Sequence, residues 1–547
     1  MSDFSAQRRP QIIAQLQGQK FDLLVIGGGI TGAGIALDAA ARGLKVALVE
    51  MQDFASGTSG RSTKLIHGGL RYLKQLEFKL VAEVGSERAI IHRIAPHLTH
   101  PEPMLLPITK SGSFGRFSTS LGMWFYELLA RVKHGEKHRF LNAAEVRQAE
   151  PLLDPAGLLG GVVFYEYRTD DARLTLEVMK EAVRRGVTAI NYMRASAFVY
   201  EQGKVCGIEA LDVLTGNSHV LKADSLVNAA GPWVDELDEL DKKSQGGKLN
   251  LTKGVHLVVD HKKLPVRQSL YVDTQDGRMV FIIPRDGKTY IGTTDTFYKA
   301  DKSHPSITPE DKGYLLKCVN ACFPGNSITL QDIESGWAGI RPLINKPGKG
   351  PSEISRRDET FTWPSGLITI AGGKLTGYRK MAQRVVDLVA HHISKSRQSH
   401  TAIGPCITDQ IALASVDEKA VSPEEILKKI RKESKDLLSE GEARLLVNRY
   451  GANAVKICKS MQQLKQEGYA GELPLFLQAQ LLFAIHEELC NTPCDFFIRR
   501  TAALYFDIQL VRQWQEALSR EMQNLLGWNA EQKKKYDGEL QAALQEI

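Results

Sequence analysis

Residues 21–50 read FDLLVIGGGITGAGIALDAAARGLKVALVE. Phe21 and the apolar run at 23–26 predict a buried strand, and a glycine-rich turn follows at 27–32. The small side chains after the turn predict a helix that lies close to a sheet. Residues 45–49 predict a second strand, which ends on Glu50. This order of strand, turn, helix, strand and acid is the context of a dinucleotide-binding fingerprint.

The residues of this fingerprint have separate expected tasks. Gly27 permits the tight turn, Gly29 lets the backbone approach a pyrophosphate, and Gly32 lets the helix pack on the strand. The helix N-terminus offers unpaired N–H groups and a partial positive charge to phosphates. The Glu50 carboxylate can accept hydrogen bonds from ribose hydroxyls. A glycine-rich turn without a ligand is the alternative, and the unit by itself fits NAD as well as FAD.

The composition is that of an ordinary globular protein, with 547 residues of which 43% are hydrophobic and 24% charged. A chain of this length forms about two to four domains. No run approaches the ~18 apolar residues that span a bilayer, and residues 1–20 contain no apolar signal-peptide core. Together with seven scattered cysteines, these features predict a cytoplasmic chain.

The net charge of the chain and the spacing of its cysteines limit the classes of ligand that we expect it to bind. The net charge of +7 is too small for a dedicated nucleic-acid binder, so we expect no nucleic acid. An anionic substrate, an anionic membrane surface or simple solubility would each account for it. The pairs Cys318/Cys322 and Cys490/Cys494 lack the further ligands of a zinc site, so we expect no metal.

Further strand–turn–helix units follow the first. Residues 223–233 and 367–395 each predict a strand that leads into a turn of small residues and a helix, which suits the floor of the same nucleotide site. Residues 251–296 alternate or run apolar and predict an antiparallel substrate-binding sheet. A polar linker at 396–410 precedes a tail of helical patterns, which we interpret as a structural or interaction module.

These elements predict an α/β (α+β) fold of three domains. The discontinuous nucleotide-binding domain is expected at residues 15–90, 160–240 and 355–397. The substrate or cap domain is expected at residues 91–159 and 241–354, and the all-helical C-terminal domain at residues 398–547.

An aromatic stripe with basic flanks lies at residues 121–132. Leu121, Trp124, Phe125, Leu128, Leu129 and Val132 recur at helical spacing between arginine, lysine and histidine residues. An interfacial membrane helix has this pattern, and a core helix has it too, so both interpretations stay open.

Two long signatures identify a family. Residues 26–43 read IGGGITGAGIALDAAARG and residues 372–382 read GGKLTGYRKMA. Between them lie STKLIHGGLRY at 62–72, and NAAGPW, GTTD and RPL, which begin at Asn228, Gly292 and Arg341. Through these motifs the chain resembles the FAD-dependent respiratory (aerobic-type) glycerol-3-phosphate dehydrogenases over about residues 20–395, and more weakly in DFFIRRT at 495–501.

The resemblance implies a Rossmann-like FAD-binding domain of the glutathione-reductase/D-amino-acid-oxidase type, an antiparallel substrate domain and a helical C-terminal domain. It implies oxidation of sn-glycerol 3-phosphate to dihydroxyacetone phosphate by hydride transfer from carbon 2 to FAD, with the electrons passed to a membrane quinone. The enzyme is then expected to associate peripherally with the cytoplasmic face of the membrane. A homodimer is left open as its assembly.

Under this resemblance, the FAD-binding residues are expected in the three turns and in the loop after the first acid. They are Gly27, Gly29, Ile30, Thr31, Gly32, Glu50, Thr58, Ser59, Ser62, Lys64, Leu65, His67, Gly69, Ala195, Ala230, Gly231, Gly373, Lys374, Leu375 and Thr376. Ala230 departs from the family pattern, in which a hydroxyl residue is common.

The substrate needs a cationic pocket for its phosphate dianion. Arginine suits this task because its planar fork can bind two phosphate oxygens. The candidates are Arg71, Arg341 and Lys374, with Tyr72 donating a hydroxyl and Arg357 in reserve. A surface charge is the alternative for any one of these arginines.

The carbon-2 hydroxyl of the substrate needs a base. His256 is the first candidate because an imidazole titrates near neutral pH. A core histidine is the alternative, and His67, expected to lie against the flavin, is the second candidate. Arg341 or Lys374 would stabilise the developing alkoxide, so the expected catalytic set is His256, Arg341 and Lys374.

Three other functions remain open at this point. The first is a glycerol-3-phosphate oxidase that uses oxygen as acceptor. The second is an amine- or amino-acid-oxidising flavoprotein of the same superfamily. The third is a flavin-bound sensor or interaction module without turnover.

Overall fold

The computed structural model describes residues 2–68, 78–110, 112, 134–241, 247–274, 276–345, 357–397, 403–414, 421–434 and 437–546. The strands formed by these residues are β1 (Lys20–Ile26), β2 (Val46–Val49), β3 (Leu65–Ile66), β4 (Thr99–Thr109), β5 (Arg139–Asn142), β6 (Leu158–Thr169), β7 (Thr188–Ile190), β8 (Met193–Glu201), β9 (Lys204–Asp212), β10 (Ser218–Asn228), β11 (Leu249–Asp260), β12 (Ser269–Asp273), β13 (Met279–Arg285), β14 (Lys288–Gly292), β15 (Thr296–Phe297), β16 (Ile333–Ile344), β17 (Asp358–Thr362) and β18 (Ile368–Gly372).

The α-helices of the described residues are α1 (Arg9–Gln17), α2 (Ile30–Ala41), α3 (Phe78–Ile94), α4 (Ala143–Ala149), α5 (Asp171–Arg184), α6 (Val234–Leu240), α7 (Pro309–Cys322), α8 (Tyr378–Arg397), α9 (Pro423–Glu433), α10 (Glu440–Tyr450), α11 (Ala454–Gln466), α12 (Leu475–Glu487), α13 (Ala503–Phe506), α14 (Ile508–Leu526) and α15 (Ala530–Gln545). A π-helix lies at Asp495–Arg500, between α12 and α13.

The first sheet has the strand order β17-β18-β10-β1-β2-β7, and β8 and β9 extend it beside β10. β1 pairs in parallel with β2 and β10, so the first strand of the chain lies at the centre of the sheet. Helices α5 and α8 both pack against α2. α2 lies close to α8 because Gly34 has no side chain, and a Cβ there would lie 2.8 Å from the Tyr378 ring. Such a sheet binds ligands at the carboxyl ends of its parallel strands.

The second sheet is mostly antiparallel, with the order β15-β11-β14-β13-β12-β4-β6-β3, β16 beside β11 and β5 beside β6. A long pairing joins β11 and β16 and sets Gly254 opposite Gly339 and His256 opposite Trp337. This register matters for function, because it brings residues about eighty positions apart in sequence to the same end of one cavity.

The C-terminal helices form two packed groups. α9 to α12 share one hydrophobic core, and α12 also contributes residues to a second one. The π-helix and α13 to α15 instead share a core with the second sheet, which includes Val258, Tyr290 and Trp337. The C-terminal domain is therefore packed against the strands that carry the candidate base.

One expected domain boundary, at residue 160, differs from the sheet to which the neighbouring strand belongs. We expected residues 160–240 to belong to the nucleotide-binding domain, but β6 lies in the second sheet through Thr169, as does β3 at Leu65–Ile66. The chain enters the first domain again only with α5. The reason is the long antiparallel pairing of β6 with β4, which local sequence pattern does not reveal.

Two further expectations concern membranes. The aromatic stripe at 121–132 lies outside the described residues. Within the part of the chain that the structure describes, no helix combines the length and the apolarity that crossing a bilayer requires.

Candidate active site

A cavity of about 600 Å³ is lined by residues of both sheets. Its first end is formed by the glycine-rich turn, by the residues after β2 and by the turn after β10. His256 of β11 and Arg341 of β16 lie close together in its lining and form what we call the second end, and the Gly372–Thr376 turn also lines the cavity. One cavity therefore connects the dinucleotide fingerprint with the predicted catalytic residues.

The glycine-rich turn needs its glycines for steric reasons. Gly27 has φ +118°, and a Cβ there would lie 2.4 Å from the carbonyl oxygen of Ala229. A Cβ on Gly32 would lie 1.9 Å from the carbonyl oxygen of Gly27. The Ile30 N–H donates to Ser59 Oγ at 2.9 Å, which ties the start of α2 to the loop above it.

Glu50 lines the cavity with its carboxylate fixed by the backbone. Its oxygens accept hydrogen bonds from the Gly28 N–H at 2.6 Å and the Gln52 N–H at 2.8 Å. Burial raises the pKa of Glu50, and these N–H groups act against that shift. Each carboxylate oxygen can accept a second hydrogen bond, so the side chain keeps capacity for ribose hydroxyls.

Most of the predicted cofactor residues line this cavity. They are Gly27, Gly29, Ile30, Thr31, Glu50, Thr58, Ser59, Ser62, Leu65, His67, Ala195, Ala230, Gly231, Gly373, Lys374, Leu375 and Thr376. Gly69 lies outside the described residues.

Two predicted cofactor residues do not line the cavity. Lys64 is buried, and its ammonium donates to Asp171 Oδ1 at 2.6 Å and to the Gly60 carbonyl at 3.2 Å. Its role is thus to join the loop to the N-terminus of α5, where Asp171 also accepts from Ser62. Gly32 packs beneath Gly27, where a Cβ would meet the Gly27 carbonyl oxygen.

His256 is held tightly at the second end of the cavity. Its ring stacks on Trp337 with centroids 4.7 Å apart, and Nε2 lies 3.0 Å from Thr63 Oγ1. The facing strand leaves room for the ring only because Gly292 lacks a side chain, since a Cβ there would lie 2.1 Å from His256 Cδ2. Among the described residues, none hydrogen-bonds to Nδ1.

The surroundings of His256 keep its imidazole neutral. Burial, followed by the positive charges of Arg341 and Lys64, lowers the pKa of His256 well below its usual value. A neutral imidazole can accept a proton, which is what a general base requires.

Arg341 lies two positions from Gly339 on β16 and lines the same end of the cavity. Its guanidinium donates to Thr293 Oγ1 at 3.0 Å and to Asp295 Oδ1 at 3.2 Å. Gly254 provides the space, because a Cβ there would lie 2.1 Å from Arg341 Nη2.

The remaining predicted substrate residues are placed differently. Lys374 lines the cavity at the start of the turn that leads into α8. Arg357 precedes β17 and does not line the cavity, although its carbonyl accepts a hydrogen bond from the Gly373 N–H at 3.4 Å. Arg71 and Tyr72 lie outside the described residues.

Comparison with known proteins decides the family. A family model described as "FAD dependent oxidoreductase" matches residues 22–379, and one described as "C-terminal domain of alpha-glycerophosphate oxidase" matches residues 406–533. The aerobic glycerol-3-phosphate dehydrogenase of Bacillus subtilis is 49% identical, with the match covering 99% of this chain and 98% of that protein. The chain belongs to the aerobic glycerol-3-phosphate dehydrogenase family.

Solved structures agree with this assignment. The glycerol-3-phosphate dehydrogenase from Bacillus halodurans, crystallised with FAD, gives a TM-score of 0.85 at 46% identity, covering 100% of this chain and 98% of that one. The L-alpha-glycerophosphate oxidase from Mycoplasma pneumoniae shares the fold, with a TM-score of 0.54 at 18% identity over 68% of this chain and 95% of that one. The family resemblance and the fold class predicted from the motifs are confirmed.

The residues of this dehydrogenase-family cavity fit an FAD molecule. At the first end the backbone of Gly27 and Gly29 lines the cavity directly, which is the close approach that a pyrophosphate needs. From there the lining continues through Ala230 and Gly231 to Leu375 and Thr376, which suits a ligand longer than a mononucleotide.

Sequence reasoning missed several residues of this family's site. Thr293 and Asp295 belong to the GTTD motif, which marked the family but suggested no role for them. Glu166 lines the cavity, accepts from Arg88 Nη1 at 3.0 Å and from the Gly68 N–H at 3.0 Å, and is buried. Burial raises the pKa of Glu166, against the opposing charges of Arg88 and Lys374.

Proposed function

We propose that the protein oxidises sn-glycerol 3-phosphate to dihydroxyacetone phosphate with bound FAD and passes the electrons to a membrane quinone. The single observation that carries this proposal is the continuous cavity, which joins a dinucleotide-binding turn to a neutral buried histidine and two cationic side chains. Membership of the aerobic glycerol-3-phosphate dehydrogenase family supports the choice of substrate.

FAD would be held by the fingerprint turn, by Glu50 and by the turns at Ala230 and Gly373. When bound, it supplies the acceptor for the hydride that leaves carbon 2 of the substrate. The amide groups at the start of α2 and the backbone at Gly29 would face its phosphates.

Arg341 and Lys374 would bind the anionic substrate. The Arg341 guanidinium is oriented by Thr293 and Asp295, so its positive charge is held in a fixed position at the cavity. Lys374 adds a point charge at the same end of the cavity. These cations would also stabilise the alkoxide that forms as the hydroxyl loses its proton.

His256 would take the proton from the carbon-2 hydroxyl. In the tautomer that donates from Nε2 to Thr63 Oγ1, Nδ1 carries the lone pair and accepts this proton. Stacking on Trp337 holds the ring in place, and the low pKa keeps it unprotonated before the reaction.

Quinone as acceptor implies work at the membrane surface, and we propose a peripheral association with its cytoplasmic face. The aromatic stripe at 121–132 is the candidate contact, from its sequence pattern alone. Co-sedimentation with anionic liposomes tests this, and a Trp124→Glu/Phe125→Glu variant should bind less. Equal binding by both proteins contradicts the assignment of this segment.

The reaction is tested with purified protein, glycerol 3-phosphate and a soluble quinone under argon. We expect dihydroxyacetone phosphate and reduced quinone in equal amounts. An oxidase would instead release hydrogen peroxide in air in proportion to product. Turnover of glycine or proline without turnover of glycerol 3-phosphate would contradict the proposed substrate.

A further inference from the structure

The indole of Trp337 lies directly behind the candidate base. Trp337 is opposite His256 in the β11–β16 pairing and only 3% exposed, and the two rings are nearly parallel, with an interplanar angle of 12°. Its Nε1–H donates to the Ser62 carbonyl at 3.0 Å, which fixes the direction of the indole. The indole therefore sets the plane in which the imidazole lies.

The indole also contacts the C-terminal domain. Tyr505 and Phe506 of α13 lie with their ring centroids 5.0 Å and 5.9 Å from that of Trp337. Ser335 Oγ, two residues before Trp337, donates to the Tyr505 carbonyl at 2.5 Å. α13 is thus fastened to β16 at the point where β16 supports His256.

The same helix also supports the second contact of His256. Phe506 packs edge-on against Tyr290 at 5.8 Å, and the Tyr290 hydroxyl donates to the Thr63 carbonyl at 3.1 Å. Thr63 Oγ1 is the group within hydrogen-bond distance of His256 Nε2. α13 therefore packs against Trp337, which stacks on the imidazole, and against Tyr290, which holds Thr63.

We propose that Trp337 is a positioning residue for His256, and that the C-terminal domain takes part in catalysis by holding Trp337 and Tyr290 in place through Tyr505 and Phe506. This inference rests on the proposed function. The residues of α13 touch neither end of the lined cavity, so they act through Trp337 and Tyr290.

Stacking has a chemical consequence besides orientation. The face of an indole attracts a cation, so Trp337 stabilises the imidazolium that forms when His256 accepts a proton. Two positive charges oppose that state: Arg341 on β16 and Lys64, whose ammonium lies 5.3 Å from the centroid of the same indole and is paired with Asp171. Loss of the indole should therefore slow proton transfer without weakening substrate binding.

The test compares Trp337→Leu, Trp337→Phe and Trp363→Phe in the FAD-loaded enzyme. Trp363 is a matched control, because it also stacks on an aromatic residue, Phe361, but lies outside the cavity. Anaerobic rapid mixing with glycerol 3-phosphate gives the rate of flavin bleaching and its dependence on substrate concentration, and the flavin spectrum reports cofactor binding.

We expect Trp337→Leu to lower the bleaching rate by about tenfold to a hundredfold, with substrate affinity changed less than about threefold. Trp337→Phe should recover most of the rate, because it restores an aromatic face. Trp363→Phe should match the wild type. A wild-type rate in Trp337→Leu overturns the inference, as does a loss of substrate affinity equal to the loss of rate.

A second variant covers the case in which Trp337→Leu does not retain flavin. Phe506→Leu leaves every cavity residue in place, and we expect a slower rate at unchanged substrate affinity. A wild-type rate in Phe506→Leu overturns the role of the C-terminal domain. If glycerol 3-phosphate fails to bleach the wild-type flavin, the proposed function fails; if the wild type responds and the variants match it, the positioning inference alone fails.

Discussion

At the residue scale, His256 has the surroundings that a general base needs. Gly292 makes room for its ring, Trp337 and Thr63 orient it, and burial keeps it neutral. Replacement by asparagine preserves approximate size and polarity but removes the basic nitrogen. We expect His256→Asn to lower kcat about 10²–10⁴-fold with little change in KM, measured by steady-state kinetics with a quinone acceptor. A kcat within a factor of about two of the wild type contradicts the role of His256.

The lowered pKa of His256 makes a pH prediction. Only the neutral imidazole accepts a proton, and an unperturbed histidine would become half protonated near pH 6.5. Because burial, Arg341 and Lys64 lower this pKa, kcat at saturating substrate should stay constant as the pH falls from 8 through about 6.5 and decline only at lower pH. A profile that reaches half its maximum at about pH 6.5 would show an unperturbed base.

Arg341 should act mainly in substrate binding. A lysine keeps the charge but cannot donate simultaneously to Thr293, Asp295 and a phosphate in the geometry of the fork. We expect Arg341→Lys to raise KM about tenfold to a hundredfold, with a smaller effect on kcat. An unchanged KM would remove Arg341 from the phosphate site.

At the scale of elements, two glycines on the second sheet make space for the catalytic side chains. Gly292→Ala would force a Cβ to within 2.1 Å of His256, and Gly254→Ala would do the same to Arg341. We expect both variants to lose most of their activity while retaining a folded sheet. Gly313→Ala on α7 is the control, because a Cβ there meets open space. Full activity in Gly292→Ala would mean that His256 does not need its observed position.

The first nucleotide-binding element could be predicted from the sequence because all its signals are local. The strand, the turn and α2 follow one another within residues 20–41, and the glycine positions have direct steric reasons. The start of α9 also has a local signal in the sequence, since Ser422 and Glu425 form the capping box that precedes a helix.

The rest of the site depends on pairings that local pattern does not encode. The β11–β16 register places Trp337 beneath His256, and no feature of the sequence around either residue specifies that contact. Lys64 is another example, since its ammonium pairs with Asp171, 107 positions away in sequence.

At the scale of the whole molecule, buried ion pairs join the C-terminal domain to the nucleotide-binding domain. Asp53, three residues after Glu50, accepts hydrogen bonds from Arg499 and Arg500 of the π-helix at 2.5 Å each. Burial raises the pKa of Asp53, but the charges of Arg500 and Arg499 outweigh it and lower the pKa to about 2. The C-terminal domain thus holds in place the loop that follows Glu50, the residue proposed to bind the ribose hydroxyls.

Loss of these buried ion pairs should destabilise the protein strongly. Asp53→Ala leaves Arg499 and Arg500 buried without their shared carboxylate, which we expect to cost about 3–5 kcal/mol of unfolding free energy. The urea midpoint, followed by flavin fluorescence, measures the effect. Glu472→Ala removes an exposed ion pair with Arg520 and should leave the midpoint unchanged. Equal midpoints for the two variants would contradict a role for the buried pairs.

The proposed reaction requires one cavity that holds both FAD and glycerol 3-phosphate. Anaerobic titration of the purified flavoprotein with glycerol 3-phosphate, followed by its visible absorbance, tests this most directly. We predict that the absorbance of the oxidised flavin is lost, with one dihydroxyacetone phosphate formed for each flavin bleached. A flavin that dithionite reduces but glycerol 3-phosphate leaves oxidised would contradict the central claim.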